Sequence, residues 1–449
     1  MASSPTPEFE RLVRDEQADA RLPSLSAAAF SGGEIVWQQA LGLADAETGE
    51  EATPEHQYGI ASITKSFVAA SIMQLRDEGR LDLEDQLSSH VPDVEHGTLT
   101  IRGMLAHTSG LQREPPGDIW ETLKAPTREE LLAGLGEAEQ VLPPNVEWHY
   151  SNLAYSLLGE VVERVSGIPF GEYVEQRLLG PVGLEHTGWT PTRPAKPYYV
   201  EPYSDAVSEE PGLELGGTGA AGGPWSTTGD LARWASFLAD PDPAILSPAS
   251  AAQMRTVQTV MDETWTSGHG LGLQMWRRGE RVFAGHTGGL PGFVSIVAWA
   301  PKERAGAVVL TGSGSWPKLI ETGLKLAGLA ADEVPAPKDE WRPGSEPPDD
   351  VAPLLGRWWS EGSEFVFSWR DGGLQARLAD VPTVMPPAVF ERESDDTWRT
   401  VSGRERGELL RVVRDGDGGV SKLYWATYPF TRDAMSFGAG VPAPVEETS

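Results

Sequence analysis

Residues 58–79 of the chain read Tyr-Gly-Ile-Ala-Ser-Ile-Thr-Lys-Ser-Phe-Val-Ala-Ala-Ser-Ile-Met-Gln-Leu-Arg-Asp-Glu-Gly. After Ser62 the apolar residues form a broad helical face, and Gly79 stands where a glycine commonly follows a helix, so we predict a helix from Ser62 to Gly79. Ser62 and Lys65 are one turn apart at its start, an S-x-x-K pattern that lets the ammonium approach the hydroxyl. Free N–H groups at a helix start also favour a developing negative charge.

This serine-lysine pair has the chemistry of a nucleophile and its base. A serine hydroxyl attacks a carbonyl only when a base accepts its proton, and a desolvated lysine has a pKa low enough to help. The pattern alone is weak evidence, because Ser62 could equally be an ordinary helix N-cap. A second copy spans Ser315 to Lys318, where Pro317 disfavours a helix, and we interpret it as accidental.

A second pattern, Tyr150-Ser151-Asn152, stands just before a predicted helix over 151–165. Tyr150 is a candidate base or proton shuttle. The Asn152 amide is a candidate partner for a substrate carbonyl and for Lys65. Taken alone, the pattern also fits a packed tyrosine followed by an N-capping residue.

The third pattern is His286-Thr287-Gly288-Gly289, which we expect directly after a strand that ends at Ala284. Gly288 and Gly289 would let a substrate approach the strand edge, and the Gly289 N–H is a candidate oxyanion donor. A glycine-rich strand connection is the simpler interpretation of this segment.

The order Ser62, Tyr150, His286 resembles the penicillin-recognising serine hydrolase superfamily: class C β-lactamases, D-alanyl-D-alanine carboxypeptidases, D-aminopeptidases and related esterases. The resemblance covers about residues 8–330. It implies an α+β, β-lactamase/transpeptidase-like fold, with an antiparallel sheet flanked by helices, a helical lobe, and the active site between them. Flanking segments resemble the same family: Tyr58–Ile60, Leu105–Leu111, Gly222–Thr227 and Asp230–Arg233.

The resemblance also implies roles for the site residues. Ser62 forms an acyl-enzyme while Lys65 and Tyr150 move the proton. The N–H groups of Ser62 and Gly289 hold the oxyanion, and water then hydrolyses the acyl group. His107, in the Leu105–Leu111 segment, resembles a structural turn residue, so we leave it out of the mechanism.

One departure from the family bears on the substrate. β-Lactamases and most carboxypeptidases carry Lys-Thr-Gly where this chain has His286, and a mostly neutral histidine binds a substrate carboxylate less well. We therefore expect an esterase or a D-specific amidase or peptidase with weak or no β-lactamase activity. Two alternatives stay open: a non-catalytic penicillin-binding-like receptor or sensor, and an acyltransferase that uses the same acyl-enzyme.

The 449 residues exceed the usual size of one core, so we expect two domains. A serine hydrolase domain over 1–332 and a C-terminal domain over 352–449 are separated by an acidic, proline-rich linker over 333–351. The C-terminal part resembles the small all-β, lipocalin-like domains appended to some family members. Predicted strands are Leu25–Phe30, Glu34–Leu43, Leu271–Trp276, Arg281–Ala284, Phe293–Ala300, Ala305–Leu310, Arg357–Trp359, Phe365–Trp369, Gly373–Leu378, Leu409–Val413 and Val420–Ala426.

The amino-acid composition disfavours several classes of binding partner. A net charge of -30 disfavours nucleic acid and anionic membranes. The chain has no cysteine, and its histidines show no metal-ligand spacing, so we expect no metal and no cofactor. No apolar run is long enough for a membrane span, and the charged N-terminus is unlike a secretory signal, so we expect a cytoplasmic protein. We expect its partner to be a small-molecule ester, amide or peptide substrate. Its oligomeric state is open.

Overall fold

The computed structural model of the protein describes residues 6–334, 340–360, 362–380 and 386–435. It divides into two units, Met1–Pro337 and Lys338–Ser449. This division falls within the linker predicted over 333–351, of which residues 335–339 lie outside the described residues. Among the residues described, no helix combines the length and the apolar character needed to cross a membrane.

The first unit is built on a nine-stranded antiparallel sheet. Its order is β3-β2-β1-β13-β12-β11-β10-β9-β8, so the N-terminal hairpin pairs with the last strand of the unit. Two short ribbons, β4-β7 and β5-β6, lie outside this sheet. The strands are β1 (Ser24–Ser31), β2 (Glu34–Asp45), β3 (Glu50–Glu51), β4 (Tyr58–Gly59), β5 (Tyr198–Val200), β6 (Val207–Glu209), β7 (Trp225–Ser226), β8 (Thr259–Val260), β9 (Ser267–His269), β10 (Gln274–Arg278), β11 (Arg281–Leu290), β12 (Phe293–Ala300) and β13 (Ala305–Thr311).

Helices cover both faces of the sheet. Helices α1 and α12 pack on one face, and α2, α6 and α10 belong to the core on the other. The helices are α1 (Thr6–Asp19), α2 (Thr64–Asp77), α3 (Ile101–Leu105), α4 (Ile119–Thr122), α5 (Arg128–Ala133), α6 (Asn152–Ser166), α7 (Phe170–Val174), α8 (Gly180–Val182), α9 (Gly219–Gly222), α10 (Thr228–Ala239), α11 (Pro248–Met254) and α12 (Leu319–Glu333).

The two-sided burial explains the apolar run of strand β13. Val308 and Leu310 point into the core shared with α2 and α6, whereas Ala307 and Val309 point into the core shared with α1 and α12. Successive side chains of a strand lie on opposite faces, so a strand covered on both faces is apolar at every position. The predicted α+β fold, a sheet flanked by helices, is confirmed.

The prediction for the third pattern is wrong in one respect. Strand β11 continues to Leu290, so His286 to Gly289 lie within the strand and not after it. Gly285 and Gly288, which follow the predicted end of the strand, mark close packing within it. A Cβ on Gly285 would stand 2.0 Å from the Val297 carbonyl oxygen, and one on Gly288 would stand 2.2 Å from the Ile60 carbonyl oxygen.

The second unit is an eight-stranded antiparallel meander in sequence order. Backbone hydrogen bonds between Trp359 and Thr431 join its first strand to the end of its last, which nearly closes the sheet into a barrel around an aromatic core. This agrees with the predicted lipocalin-like domain. The strands are β14 (Gly356–Ser360), β15 (Ser363–Arg370), β16 (Gly373–Leu378), β17 (Ala388–Ser394), β18 (Thr397–Ser402), β19 (Leu409–Arg414), β20 (Val420–Trp425) and β21 (Tyr428–Phe430).

Strands β17 and β18 were not predicted, because few of their residues are apolar. In β17 only Ala388 and Phe390 are buried, followed by four exposed residues over 391–394. In β18 the buried side chains are Trp398 and Thr400. Period-2 burial places these few residues in the barrel core, but alternation among so many charged residues gives a weak signal.

Candidate active site

Ser62 lies in a tight turn between strand β4 and helix α2. The turn is a 3-10 segment, Ala61–Ile63, and α2 proper begins at Thr64, two residues later than predicted. Ala61 has a φ of +47°, a left-handed conformation that costs energy for a residue with a Cβ. The turn packs against Gly222 of helix α9, where a Cβ would stand at an ordinary van der Waals distance of 3.4 Å from Ala61. The turn sets Ser62 in the wall of a cavity of about 480 Å³.

Lys65 is fully buried beside this serine. Its ammonium donates three hydrogen bonds, to Ser62 Oγ at 3.0 Å, to Asn152 Oδ1 at 2.7 Å and to the Ala221 carbonyl at 2.9 Å. Burial lowers the pKa of Lys65 to about 7, and only the carboxylate of Glu114 acts appreciably in the opposite direction. Burial therefore favours the neutral amine of Lys65 near neutral pH far more than in an exposed lysine.

Asn152 links this pair to an acidic side chain. It is the first residue of helix α6, whose N-cap Ser151 accepts a hydrogen bond from the Ala154 N–H at 3.0 Å. The Asn152 amide accepts from Lys65 and donates through Nδ2 to Glu114 Oε1 at 2.7 Å. The contact between Asn152 and Lys65 that the sequence predicted is therefore present.

Tyr150 packs over the same ammonium. Its ring centre is 4.9 Å from Lys65 Nζ and 4.8 Å from the Arg113 guanidinium carbon. Burial raises the pKa of Tyr150 well above its usual value, and an interaction with the Ser62 hydroxyl opposes this shift. The phenol is accordingly protonated near neutral pH.

The end of strand β11 forms the opposite wall of the cavity. Thr287, Gly288 and Gly289 line it. The Thr287 N–H points toward β10, where it donates to the Gln274 side chain at 3.2 Å. Backbone N–H groups two residues apart in a strand face the same side. Strand β10 pairs with β11 only as far as Gln274–Gly285, so the Gly289 N–H faces a side of the strand that β10 does not cover.

His286 is placed differently from its neighbours. Its side chain is fully buried and is not among the residues that line the cavity. Nδ1 lies 2.6 Å from the Thr287 carbonyl oxygen, and burial lowers the pKa of the ring well below its usual value. His286 therefore faces the interior as a neutral imidazole, and its predicted contact with substrate stays a prediction.

Sequence reasoning missed two charged residues of the cavity. Arg113 and Glu114 both line it, with Arg113 Nε 3.5 Å from Glu114 Oε1. Burial raises the pKa of Glu114, against the hydrogen bond from Asn152. No local pattern marks this pair. A weak signal was available in its position, just after the segment Leu105–Leu111 that resembles the family.

His107 supports the site from behind. It has a φ of +56° and is fully buried. Its Nδ1 accepts a hydrogen bond from the Ser151 N–H at 3.0 Å, which anchors the start of helix α6. Within the part of the chain that the structure describes, no group of three His, Asp or Glu side chains is arranged to hold a metal ion.

The sequence profile of the beta-lactamase family matches residues 9–332, more than two thirds of the chain. The chain belongs to the beta-lactamase family. Protein flp of Staphylococcus aureus is 27% identical to it over 326 residues, which are 70% of this chain and 65% of flp. A second profile, a domain of unknown function named DUF7586, matches residues 347–432, within the barrel unit.

Solved structures with the beta-lactamase fold agree. A D-stereospecific amidohydrolase from Streptomyces sp. superposes with a TM-score of 0.61 at 26% identity, covering 71% of this chain and 98% of its own. The octameric penicillin-binding protein homologue from Pyrococcus abyssi superposes at 0.65 with 22% identity, covering 94% and 99%. The D-amino acid amidase of Ochrobactrum anthropi SV3 gives 0.62 at 23% identity, covering 71% and 98%. The family and the amidohydrolase from Streptomyces sp. support a serine hydrolase, whereas the two neighbours under 25% identity show the fold alone.

Proposed function

We propose that the protein is a serine hydrolase that cleaves esters or amides through an acyl-Ser62 intermediate. The observation that carries this proposal is the 3.0 Å hydrogen bond between Lys65 and Ser62 in a buried site. The pKa of about 7 leaves much of Lys65 neutral near neutral pH, so it can accept the hydroxyl proton during attack on a carbonyl.

The neighbouring groups complete the proposed mechanism. Tyr150, which stays protonated, donates to the leaving oxygen or nitrogen and is recharged from Lys65. The N–H groups of Ser62 and Gly289 stabilise the oxyanion of the tetrahedral intermediate. Asn152 holds Lys65 in place and offers its amide to the substrate carbonyl. Water then attacks the acyl group and releases the acid.

The cavity favours a substrate with an apolar body and a cationic group. Several of its lining residues are large and apolar, among them Trp120 and Trp148, and Glu114 places a carboxylate among them. A carboxylate in such a site can bind a substrate ammonium through a charge-assisted hydrogen bond. Together with the likeness to a D-stereospecific amidohydrolase and a D-amino acid amidase, this favours amides or esters of D-amino acids. The neutral, buried His286 disfavours efficient β-lactam hydrolysis, because it offers no charge to a substrate carboxylate.

The proposal is tested by trapping the acyl-enzyme. Brief exposure to a p-nitrophenyl ester is expected to add the mass of one acyl group, mapped by peptide analysis to Ser62. Ser315→Ala, at the second S-x-x-K copy, is the matched control and should acylate like wild type. An adduct at another residue overturns the proposed nucleophile. Persistence of the adduct, or its transfer to an added amine, would instead indicate a receptor or an acyltransferase.

The pH dependence of kcat/KM should follow the titration of the Lys65 amine. The neutral amine is the base, so kcat/KM is expected to fall about tenfold per pH unit below a pKa of about 7 and to level off above it. The measurement is ester hydrolysis in a buffer series at constant ionic strength. A rate that is the same on both sides of neutrality would contradict a lysine base.

Glu114→Gln should lower kcat/KM for substrates that carry a free amino group much more than for substrates in which that group is blocked. The glutamine can still accept the bond from Asn152, but it lacks the charge that attracts an ammonium. For a D-amino acid p-nitroanilide, kcat/KM is expected to fall about 10- to 100-fold, which corresponds to one charged hydrogen bond. The N-acetylated substrate is the control and should lose little. Equal losses on both substrates would rule out amine recognition by this residue.

A further inference from the structure

Three buried histidine rings, which we call the histidine cluster, lie together behind the site: His107, His269 and His286. The ring centres of His107 and His269 are 4.7 Å apart, and those of His269 and His286 are 6.0 Å apart. The His107 ring also lies 4.2 Å from the ring of Tyr150. His269, at the end of strand β9, has no part in the proposed mechanism.

The backbone determines which nitrogen of each ring carries the proton. His269 Nδ1 lies 3.0 Å from the Gly270 carbonyl oxygen, and His286 Nδ1 lies 2.6 Å from the Thr287 carbonyl oxygen. A carbonyl only accepts, so both Nδ1 atoms carry hydrogen, and in the neutral rings both Nε2 atoms are lone-pair acceptors. In His107 the order is reversed: Nδ1 accepts from a backbone N–H, so Nε2 carries the hydrogen.

All three Nε2 atoms lack a hydrogen-bond partner among the described residues. Buried polar atoms without partners are rare and costly. The cluster thus presents one N–H donor, from His107, and two acceptors, from His269 and His286. A water molecule satisfies this set, because it can accept one hydrogen bond and donate two.

The two neighbouring ring spacings allow a shared water. A water bonded to Nε2 lies about 4 Å from the ring centre, so two rings that share it can have centres up to about 8 Å apart. The spacings of 4.7 and 6.0 Å lie within this limit. A metal ion fits less well, since His107 Nε2 carries a proton and has no lone pair to offer.

We propose that the histidine cluster binds one buried water molecule, and that His269 is a positioning residue that acts through this water on His107 and His286. The water joins strands β9 and β11 to the turn that carries His107. His107 in turn contacts the Tyr150 ring and anchors helix α6 through Ser151. The water site does not depend on the proposed function, whereas the positioning role of His269 rests on the proposed function.

Burial, and after it the charged groups around the cluster, favours neutral rings. Lys65 and Arg113 are the cations that act on His107, and Lys65 also acts on His269 and His286. Protonation of His107 at Nδ1 would in addition break its bond from the Ser151 N–H. The cluster should therefore hold its water as three neutral imidazoles throughout the range in which Lys65 titrates.

A high-resolution crystal structure of the wild-type protein tests the water directly. We expect one density peak within hydrogen-bond distance of all three Nε2 atoms, without anomalous signal from a transition metal. Nitrogen-15 NMR of histidine-labelled protein near neutral pH should show the Nε2–H form for His107 and the Nδ1–H form for the other two. No peak, a metal signal, a protonated ring or the opposite form of His107 would each overturn the site.

Variants of His269 test the positioning role. His269→Gln keeps an acceptor for the water, whereas His269→Phe keeps the ring volume without one. We expect acylation of Ser62 by a p-nitrophenyl ester to slow about tenfold in the phenylalanine variant, the loss of one hydrogen bond, and to stay near wild type in the glutamine variant. His56→Gln is the matched control, because both nitrogens of that buried ring already have partners.

Failure of the positioning role, of the proposed function and of the water site would each give a different result. A phenylalanine variant as fast as wild type, or a glutamine variant as slow as the phenylalanine one while both melt like wild type, would overturn the positioning role. If the wild-type protein itself is not acylated, the proposed function fails. The density peak and the NMR forms of the three rings would still decide the water site.

Discussion

Replacement of Ser62 by alanine is expected to lower kcat/KM for a p-nitrophenyl ester by about 10⁴-fold or more, the usual cost of removing a catalytic nucleophile. Only the hydroxyl is lost, and the buried Lys65 ammonium keeps its bonds to Asn152 and Ala221. The fold should therefore be unchanged by circular dichroism and thermal melting. Background hydrolysis by the buffer sets the lower limit of the measurement.

The matched control for this variant is Ser315→Ala, which makes the same chemical change at the second S-x-x-K copy. In that copy Lys318 forms an ion pair with Glu16, with Lys318 Nζ 3.7 Å from Glu16 Oε1. We expect wild-type turnover from the control. Turnover in Ser62→Ala within about tenfold of wild type would exclude an acyl-Ser62 mechanism.

Replacement of Lys65 by methionine is expected to lower kcat/KM by about 10³-fold, within the range that general bases contribute. The methionine fills the apolar path of the lysine stem but accepts no proton. It also leaves Asn152 Oδ1 and the Ala221 carbonyl without their donor in the interior, which should reduce the free energy of unfolding by about 1–3 kcal/mol.

Two measurements separate these effects. Urea unfolding gives the loss of stability, and kcat/KM at a temperature where both proteins are folded gives the loss of catalysis. Lys65→Arg supplies the second control, because arginine keeps the charge but does not deprotonate in proteins. A folded arginine variant with wild-type kcat/KM would show that Lys65 acts by its charge and not as a base.

The two-sided burial of the sheet made its central strands β12 and β13 easy to predict. Phe293–Ala300 was predicted to the residue, and Ala305–Leu310 ends one residue short of the observed strand. Long apolar runs give a strong signal because every position faces a core. The extension of β11 through Gly288 was missed, since the need for glycine there comes from the Ile60 carbonyl, a residue far away in the chain.

The residues of the candidate site likewise divide into those that the sequence identified and those that only the folded chain brings together. Ser62 and Lys65 are three residues apart, so helical geometry alone brings them together, and the sequence was sufficient to pair them. Tyr150 and Asn152 were chosen for their residue types, and the structure places both against Lys65. Glu114 had no comparable signal, because its partner Asn152 is distant in sequence and the contact exists only in the folded chain.

The sequence by itself determined the family and the local pair of serine and lysine. These depend on short-range spacing, on the order of motifs and on periodic burial, which a chain carries before it folds. The tertiary structure alone decided the burial that brings the pKa of Lys65 to about 7, the carboxylate of Glu114 in the cavity, and the inward-facing His286. Desolvation and contact between distant segments arise only when the sheet and its helices pack together.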